Sequence, residues 1–153
     1  MFEQNVLQIL FVAFAFISQA LLIFNFATLK WKPMIQQKSG WIVYAVGLIA
    51  FPLSILFWAS GQGWYFWLAF ALFTIWAMFG YVIDTLRPIN WRNPIRWQIF
   101  VPYLVLYISA QFAFWIPLWF IWSGYWIICA ALYTISTILN ISTHFHTGKV
   151  GSQ

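Results

Sequence analysis

The sequence predicts an all-α membrane protein, a compact bundle of five transmembrane helices that forms one domain over residues 1–153. Only 6% of the residues are charged and 64% are hydrophobic, whereas about a quarter of the residues of a soluble domain are charged. The hydrophobic residues form five runs close to the length of about 20 residues that a spanning helix needs. The positive charges fall in alternate connectors between these runs, as expected for a multi-pass protein.

The first two runs cover residues 6–29 and 41–59. Lys30 and Pro33 end the first run, because a charge and a proline both oppose continuation of an apolar helix. The second run ends at residues 60–63, a cluster of Ser, Gln and two Gly that is typical of a turn. We therefore expect two separate spanning helices in this part of the chain.

The other three runs cover residues 64–83, 99–122 and 126–141. A polar connector at residues 87–96, which contains two prolines and three arginines, separates the third run from the fourth. Residues 123–124, Ser and Gly, predict a tight turn between the fourth and fifth runs. The last two helices should therefore be antiparallel neighbours.

The positive charges predict the orientation of the chain in the membrane. All of them follow the first run, the third run or the fifth run, so an odd number of spans places them on one side. The N-terminus should lie outside and the C-terminus inside a cell membrane, with the lipid bilayer as the main partner. Because the charges form no continuous stripe, nucleic-acid binding is not expected. The basic residues are Lys30, Lys32, Lys38, Arg87, Arg92, Arg96 and Lys149.

The 12 tryptophans divide into two groups by their position along the runs. Those near predicted span ends are expected at the headgroup level, where an indole ring is favourable. The deeper ones remain available to line an internal pocket. The first group is Trp31, Trp41, Trp64, Trp91, Trp97, Trp122 and Trp126, and the second is Trp58, Trp67, Trp76, Trp115 and Trp119.

Polar side chains at helical spacing predict an interior face on the fourth and fifth helices. Tyr107 and Gln111 are four residues apart, as are Ser136 and Asn140, and polar groups inside spans usually face protein. We expect them to converge, with Gln111 bonded to a hydroxyl group or a ligand. An aromatic interior with a few polar groups is typical of a small-molecule pocket, and the alternative is simple helix adhesion. The candidate ligand-binding residues are Tyr107, Gln111, Trp115, Tyr133, Ser136, Asn140, Tyr81 and Asp84.

Asp84 and Glu3 are the only acidic residues. Asp84 suits either a carboxylate that couples transport to protons or an interfacial ion pair with Arg87 three residues later, and we favour the ion pair. No pair of carboxylates and no nucleophile motif occurs, so no catalytic residue is predicted. His144 and His146 lack a third ligand, so no metal site is predicted either. The sequence does not specify a cofactor.

One short segment is similar to a known family. The segment 31–33, Trp-Lys-Pro, followed by Gly40-Trp41, Tyr44 and Gly47, resembles the first loop and second helix of the translocator protein family of tryptophan-rich sensory proteins. The second proline after Trp-x-Pro is absent. The segment 111–114, which resembles that family's third-helix motif, falls in the fourth predicted span. We therefore do not assign the sequence to that family.

The aromatic interior favours a protein that binds or passes a small, largely apolar molecule, such as a lipid, a pigment or a tetrapyrrole. One alternative is a structural or assembly subunit that packs against copies of itself or against another membrane protein. A second alternative is a membrane enzyme that modifies a lipid. A small molecule that copurifies with the protein would distinguish the first interpretation from the other two.

Overall fold

A computed structural model of the protein describes residues 4–87, 89, 91 and 94–146, with side chains up to residue 143. This part of the chain is helical and contains no β-strand. The helices are α1 (Gln4–Trp31), α2 (Pro33–Ser39), α3 (Trp41–Ala59), α4 (Trp64–Tyr81), a π-helix (Val82–Leu86), α5 (Trp97–Ile121) and α6 (Ser123–His146).

Five helical segments of the described chain are long and apolar enough to cross a membrane, which confirms the predicted number of spans. Two of these segments each consist of two consecutive helices, since α2 continues into α3 and α4 continues into the π-helix. Their length and hydropathy indicate a multi-pass membrane protein. The segments are Gln4–Trp31, Pro33–Ala59, Trp64–Leu86, Trp97–Ile121 and Ser123–Thr143.

The last two helices are longer, and the turn between them shorter, than the hydropathy pattern predicts. Trp122, with φ −168° and ψ 128°, is the one non-helical residue between α5 and α6. Its N–H group donates to the carbonyl of Leu118 at 3.0 Å. At the other end, α6 continues past residue 141 to His146, and Thr143 Oγ1 donates to the Asn140 carbonyl.

The spanning helices form a ring in chain order. α3 packs on α4, α4 on α5 and α5 on α6. α1 closes the ring because it packs against both α6 and α3. The first residues of α3 meet the residues that follow α4, as the contact between Tyr44 and Asp84 demonstrates. Five described basic residues therefore lie at one end, called here the basic end, while Arg92 and Lys149 lie outside the described residues. The five are Lys30, Lys32, Lys38, Arg87 and Arg96.

Seven buried phenylalanines fill the interior of the helix bundle in the half farther from the basic end. They come from four helices and make edge-to-face and tilted contacts, with neighbouring ring centroids 5.0 to 6.1 Å apart. Aromatic pairs in such geometry add about 0.5–1.5 kcal/mol each to the gain from burial. This phenyl cluster consists of Phe11, Phe14, Phe57, Phe66, Phe70, Phe73 and Phe114.

Small residues allow α3 and α4 to approach closely. A Cβ atom at Gly47 would lie 2.1 Å from the Cβ of Ala77, so only glycine fits there. Thr74 Oγ1 donates to the Gly47 carbonyl at 3.1 Å, and Ser54 Oγ donates to the Trp67 carbonyl at 2.9 Å. Close backbone contact with such hydrogen bonds is the usual means of helix association in a bilayer.

The tryptophans follow the sequence prediction in part. Most of those predicted near span ends are exposed, but Trp91 is 1% exposed and lies against Tyr103 with ring centroids 5.0 Å apart. Among the deeper ones, Trp58 and Trp119 are 68% and 56% exposed, so they do not line an interior pocket, whereas Trp76 is buried. Both differences arise because hydropathy gives the depth of an indole ring and not the direction in which it points.

Candidate functional site

The π-helix positions Asp84 at the basic end. The N–H group of Arg87 donates to the carbonyl of Val82 at 2.8 Å, a bond that spans five residues instead of four. Such wide turns occur frequently at functional sites. The Asp84 carboxylate accepts hydrogen bonds from Tyr44 Oη at 2.7 Å and from Trp91 Nε1 at 2.9 Å. Two aromatic side chains from different parts of the chain therefore hold this carboxylate.

These bonds replace the ion pair that we expected between Asp84 and Arg87. The expectation assumed an α-helix, in which residues three apart lie on one face. Arg87 instead follows the π-helix with φ −130° and ψ 76°, and it is exposed. Because the backbone has left the helix at this residue, the spacing that predicts the pair no longer applies.

A cleft of about 580 Å³ opens beside Asp84, between α1, α2, α3 and the π-helix. Its wall contains amide, hydroxyl and carboxylate groups together with apolar side chains. It is therefore suited to a polar group near the membrane surface. The lining residues are Leu29, Gln36, Gln37, Gly40, Trp41, Tyr44, Ile83, Asp84, Thr85 and Ile89.

A second, apolar cavity of about 420 Å³ lies between α3 and the end of α4. This groove shares Trp41 and Tyr44 with the cleft. Tyr81, a predicted site residue, lines it and contacts the Tyr44 ring with centroids 5.7 Å apart. The other lining residues are Ala45, Leu48, Ala77, Met78, Val82 and Leu86.

A small polar chamber of about 20 Å³ lies deeper in the bundle. Asn140, a predicted site residue, is 5% exposed and lines this chamber together with Asn25 and Trp76. The buried indole nitrogen of Trp76 has no hydrogen-bond partner among the described residues. The chamber and the cleft share Leu29, Gln36, Tyr44 and Asp84.

Tyr44 lines the cleft, the groove and the chamber. Its ring rests on Gly80, where an added Cβ would lie 3.0 Å from a ring carbon of Tyr44. A larger residue at position 80 would push the ring away and disturb its hydrogen bond to Asp84. The absence of a side chain at Gly80 therefore leaves room for the Tyr44 ring at the point where the three cavities meet.

Four other predicted site residues form a seam between α5 and α6. Tyr107 Oη and Ser136 Oγ are 2.9 Å apart, and the rings of Tyr107 and Tyr133 stack with centroids separated by 6.1 Å. Trp115 packs edge-on against Tyr133 at 5.2 Å. None of the four lines the cleft, the groove or the chamber. The seam therefore brings them together as helix contacts, apart from those cavities.

Gln111 is 1% exposed, and its partner differs from the one we expected. Its side-chain oxygen accepts a hydrogen bond from Nε2 of Gln19 on α1, instead of from a hydroxyl group on α6. The remaining amide atoms, Gln19 Oε1 and Gln111 Nε2, have no partner in the described part of the chain. The difference arises because α5 also meets α1 inside the ring.

The candidate ligand-binding residues predicted from the sequence do not include several side chains that surround Asp84, although Tyr44 and Asn25 lie on predicted interior faces of the first two spans. Trp91 was assigned to the membrane interface, and Trp76 was one of five deep tryptophans with nothing to separate it from the others. Asn25 carries a usable signal, since it is an amide inside a spanning run. Tyr44 carries a weaker one, because tyrosine is also common at interfaces.

A compact apolar bundle with a buried aromatic cluster is compatible with a membrane protein that binds apolar molecules. Among the residues with described side chains, no group of three His, Cys, Asp or Glu could hold a metal ion. The side chains of His144 and His146 lie outside that set. Comparison with known proteins found no matching family, no similar curated protein and no similar solved structure.

Proposed function

We propose that this protein binds a small, largely apolar molecule at its basic end, within the cell membrane. The apolar body of the molecule occupies the groove, and its polar end enters the cleft beside Asp84. The observation that carries this proposal is the shared wall of the two cavities, formed by Trp41 and Tyr44. An apolar surface that leads directly to a carboxylate and amides matches an amphiphilic ligand.

The dimensions of the cavities support a small ligand. Volumes of about 420 Å³ for the groove and 580 Å³ for the cleft fall within the range of roughly 300–1,000 Å³ typical of ligand sites. The polar groups are few and convergent, which also characterises such sites. Because the groove lies on the outer surface of the ring, a molecule dissolved in the bilayer can enter it sideways.

The phenyl cluster favours binding over passage. Its seven phenyl rings pack against one another in the half of the helix bundle farther from the basic end. Polar groups such as Asn25, Asn140 and Asp84 lie between the phenyl cluster and the basic end. A molecule that enters at the basic end therefore meets tightly packed rings before it can cross.

A photoreactive ligand tests the proposal directly. The protein is placed in phosphatidylcholine vesicles with a long-chain primary alcohol that carries a diazirine along its chain, and the cross-linked peptides are mapped by mass spectrometry. We expect saturable labelling of α3 and α4 around Ala45 and Met78, reduced by an excess of the unlabelled alcohol. Ala45→Phe fills the groove and should remove most of this labelling.

Ala131→Phe is the matched control. Ala131 is exposed on α6 and lines none of the three cavities. The control variant should keep the saturable labelling of the groove. Even labelling of all lipid-facing helices, unaffected by competitor, would refute the proposal and favour a structural or assembly subunit.

A further inference from the structure

We propose that the chamber receives the hydroxyl group of a long-chain alcohol, which makes a neutral alcohol the preferred ligand class. This inference rests on the proposed function, because the chamber is reached through the cleft. The cleft and the chamber share Gln36, Tyr44 and Asp84. A molecule lying in the groove and the cleft therefore points its polar end toward the chamber.

The size of the chamber limits the group that enters it. A cavity needs about 10–15 Å³ to hold one water molecule, and the chamber provides about 20 Å³. A single oxygen with its hydrogen fits this space. A carboxylate or a phosphate, with two or more oxygens, is too large unless the wall moves.

The chemistry of the wall requires both a donor and an acceptor from the ligand. Trp76 Nε1 is a buried donor that lacks a described partner, and an indole nitrogen can only donate. Asn25 and Asn140 provide amide oxygens, which accept, and amide N–H groups, which donate. A hydroxyl group accepts from Trp76 and donates to an amide oxygen at the same time.

Other polar ends match this wall less well. An ammonium group has donors only, so it would leave the indole N–H of Trp76 without an acceptor. A carboxylate has acceptors only, and Asp84 on the chamber wall repels it. An ether oxygen accepts from Trp76 but donates nothing to the asparagines.

Competition among ligands of equal chain length tests the inference. The photoreactive alcohol is bound to the protein in phosphatidylcholine vesicles, and labelling is measured against the unlabelled alcohol, its methyl ether, the amine and the fatty acid. One buried hydrogen bond corresponds to a factor of roughly 2 to 10 in affinity. The alcohol should therefore compete at concentrations about 2- to 10-fold lower than the ether, with the amine and the acid also weaker than the alcohol.

Two variants locate the preference in the chamber. Trp76→Phe removes the indole N–H group, which donates to the oxygen of the alcohol and of the ether alike, so both should compete about 2- to 10-fold less well while the ratio between them stays the same. Trp115→Phe is the matched control, because its indole nitrogen is also buried but the residue does not line the chamber. Asn140→Leu, of similar volume, removes an amide that accepts from the hydroxyl group and should bring the alcohol and the ether to within about 2-fold of each other.

The outcomes separate this inference from the proposed function. If none of the four molecules reduces the labelling, the groove is not a ligand site and the proposed function itself fails. If all four reduce it equally, the groove binds ligands but the chamber does not select a hydroxyl group. Weaker competition by the alcohol in Trp115→Phe as well as in Trp76→Phe, or an unchanged alcohol preference in Asn140→Leu, would also overturn the inference.

Discussion

The Gln19–Gln111 pair predicts a measurable coupling between α1 and α5. Both side chains are 1% exposed and joined by one hydrogen bond, while one polar atom of each amide has no described partner. Gln111→Leu removes the acceptor and leaves the Gln19 amide buried in apolar surroundings. The double variant Gln19→Leu with Gln111→Leu removes both amides and leaves no orphaned group.

The expected magnitudes follow from this geometry. Interhelical hydrogen bonds in membrane proteins contribute about 0.6 kcal/mol on average and up to about 1.7. A buried polar group without a partner costs about 1–3 kcal/mol. Each single variant should therefore lower the free energy of unfolding by about 1–2 kcal/mol. The double variant should lose less than either single variant, because two leucines pack without any unsatisfied atom.

Equilibrium unfolding in mixed micelles, followed by tryptophan fluorescence, measures all four proteins of this double-mutant cycle. Gln8→Leu combined with Gln111→Leu is the control pair. Gln8 lies on the same helix as Gln19 but near the end opposite the basic end, so these two effects should add. Additive losses in the Gln19–Gln111 cycle, or single variants as stable as the wild type, would refute the reasoning.

Three further outcomes are expected. A cysteine introduced at Gln62 should react with an impermeant reagent from outside the cell, and one at Lys38 only after permeabilisation; the reverse pattern would overturn the orientation. Gly47→Ala should lower the free energy of unfolding by about 1–3 kcal/mol, because its Cβ would lie 2.1 Å from that of Ala77, and unchanged stability would contradict this packing. Asp84→Asn retains one acceptor oxygen for the two donors among the described residues, so we expect a loss of about 1–3 kcal/mol, whereas a loss below about 1 kcal/mol would indicate an exposed ion pair.

The number of spans could be predicted because hydropathy and charge are local properties. An apolar run followed by Lys30 and Pro33 ends a spanning helix whatever the neighbouring helices are. Ser123 and Gly124 predicted a hairpin correctly, although the break is the single residue Trp122. The helix α6 extends past the predicted end of its span, since a helix can continue beyond its apolar run.

The candidate site could be predicted only in part. The depth and helical face of Tyr107 and Ser136 followed from spacing, and the two side chains do meet across the seam. The partners of Asp84 did not follow from spacing, because the π-helix changes the register after Tyr81 and rotates the carboxylate toward Tyr44 and Trp91. Nothing in the residues 82–86 by themselves indicates this change.

The sequence by itself determined that the chain has five helices long and apolar enough to cross a membrane, since the free energy of moving an apolar helix into lipid depends on that helix alone. Only the tertiary structure decided which side chains meet, such as Gln19 with Gln111 or Trp91 with Asp84. In a soluble protein an apolar stripe marks the face of a helix that is buried. In this bundle the lipid and the interior are equally apolar, so phenylalanines such as Phe51 and Phe57 look alike in sequence. One is exposed and the other is buried, and packing between helices makes that distinction.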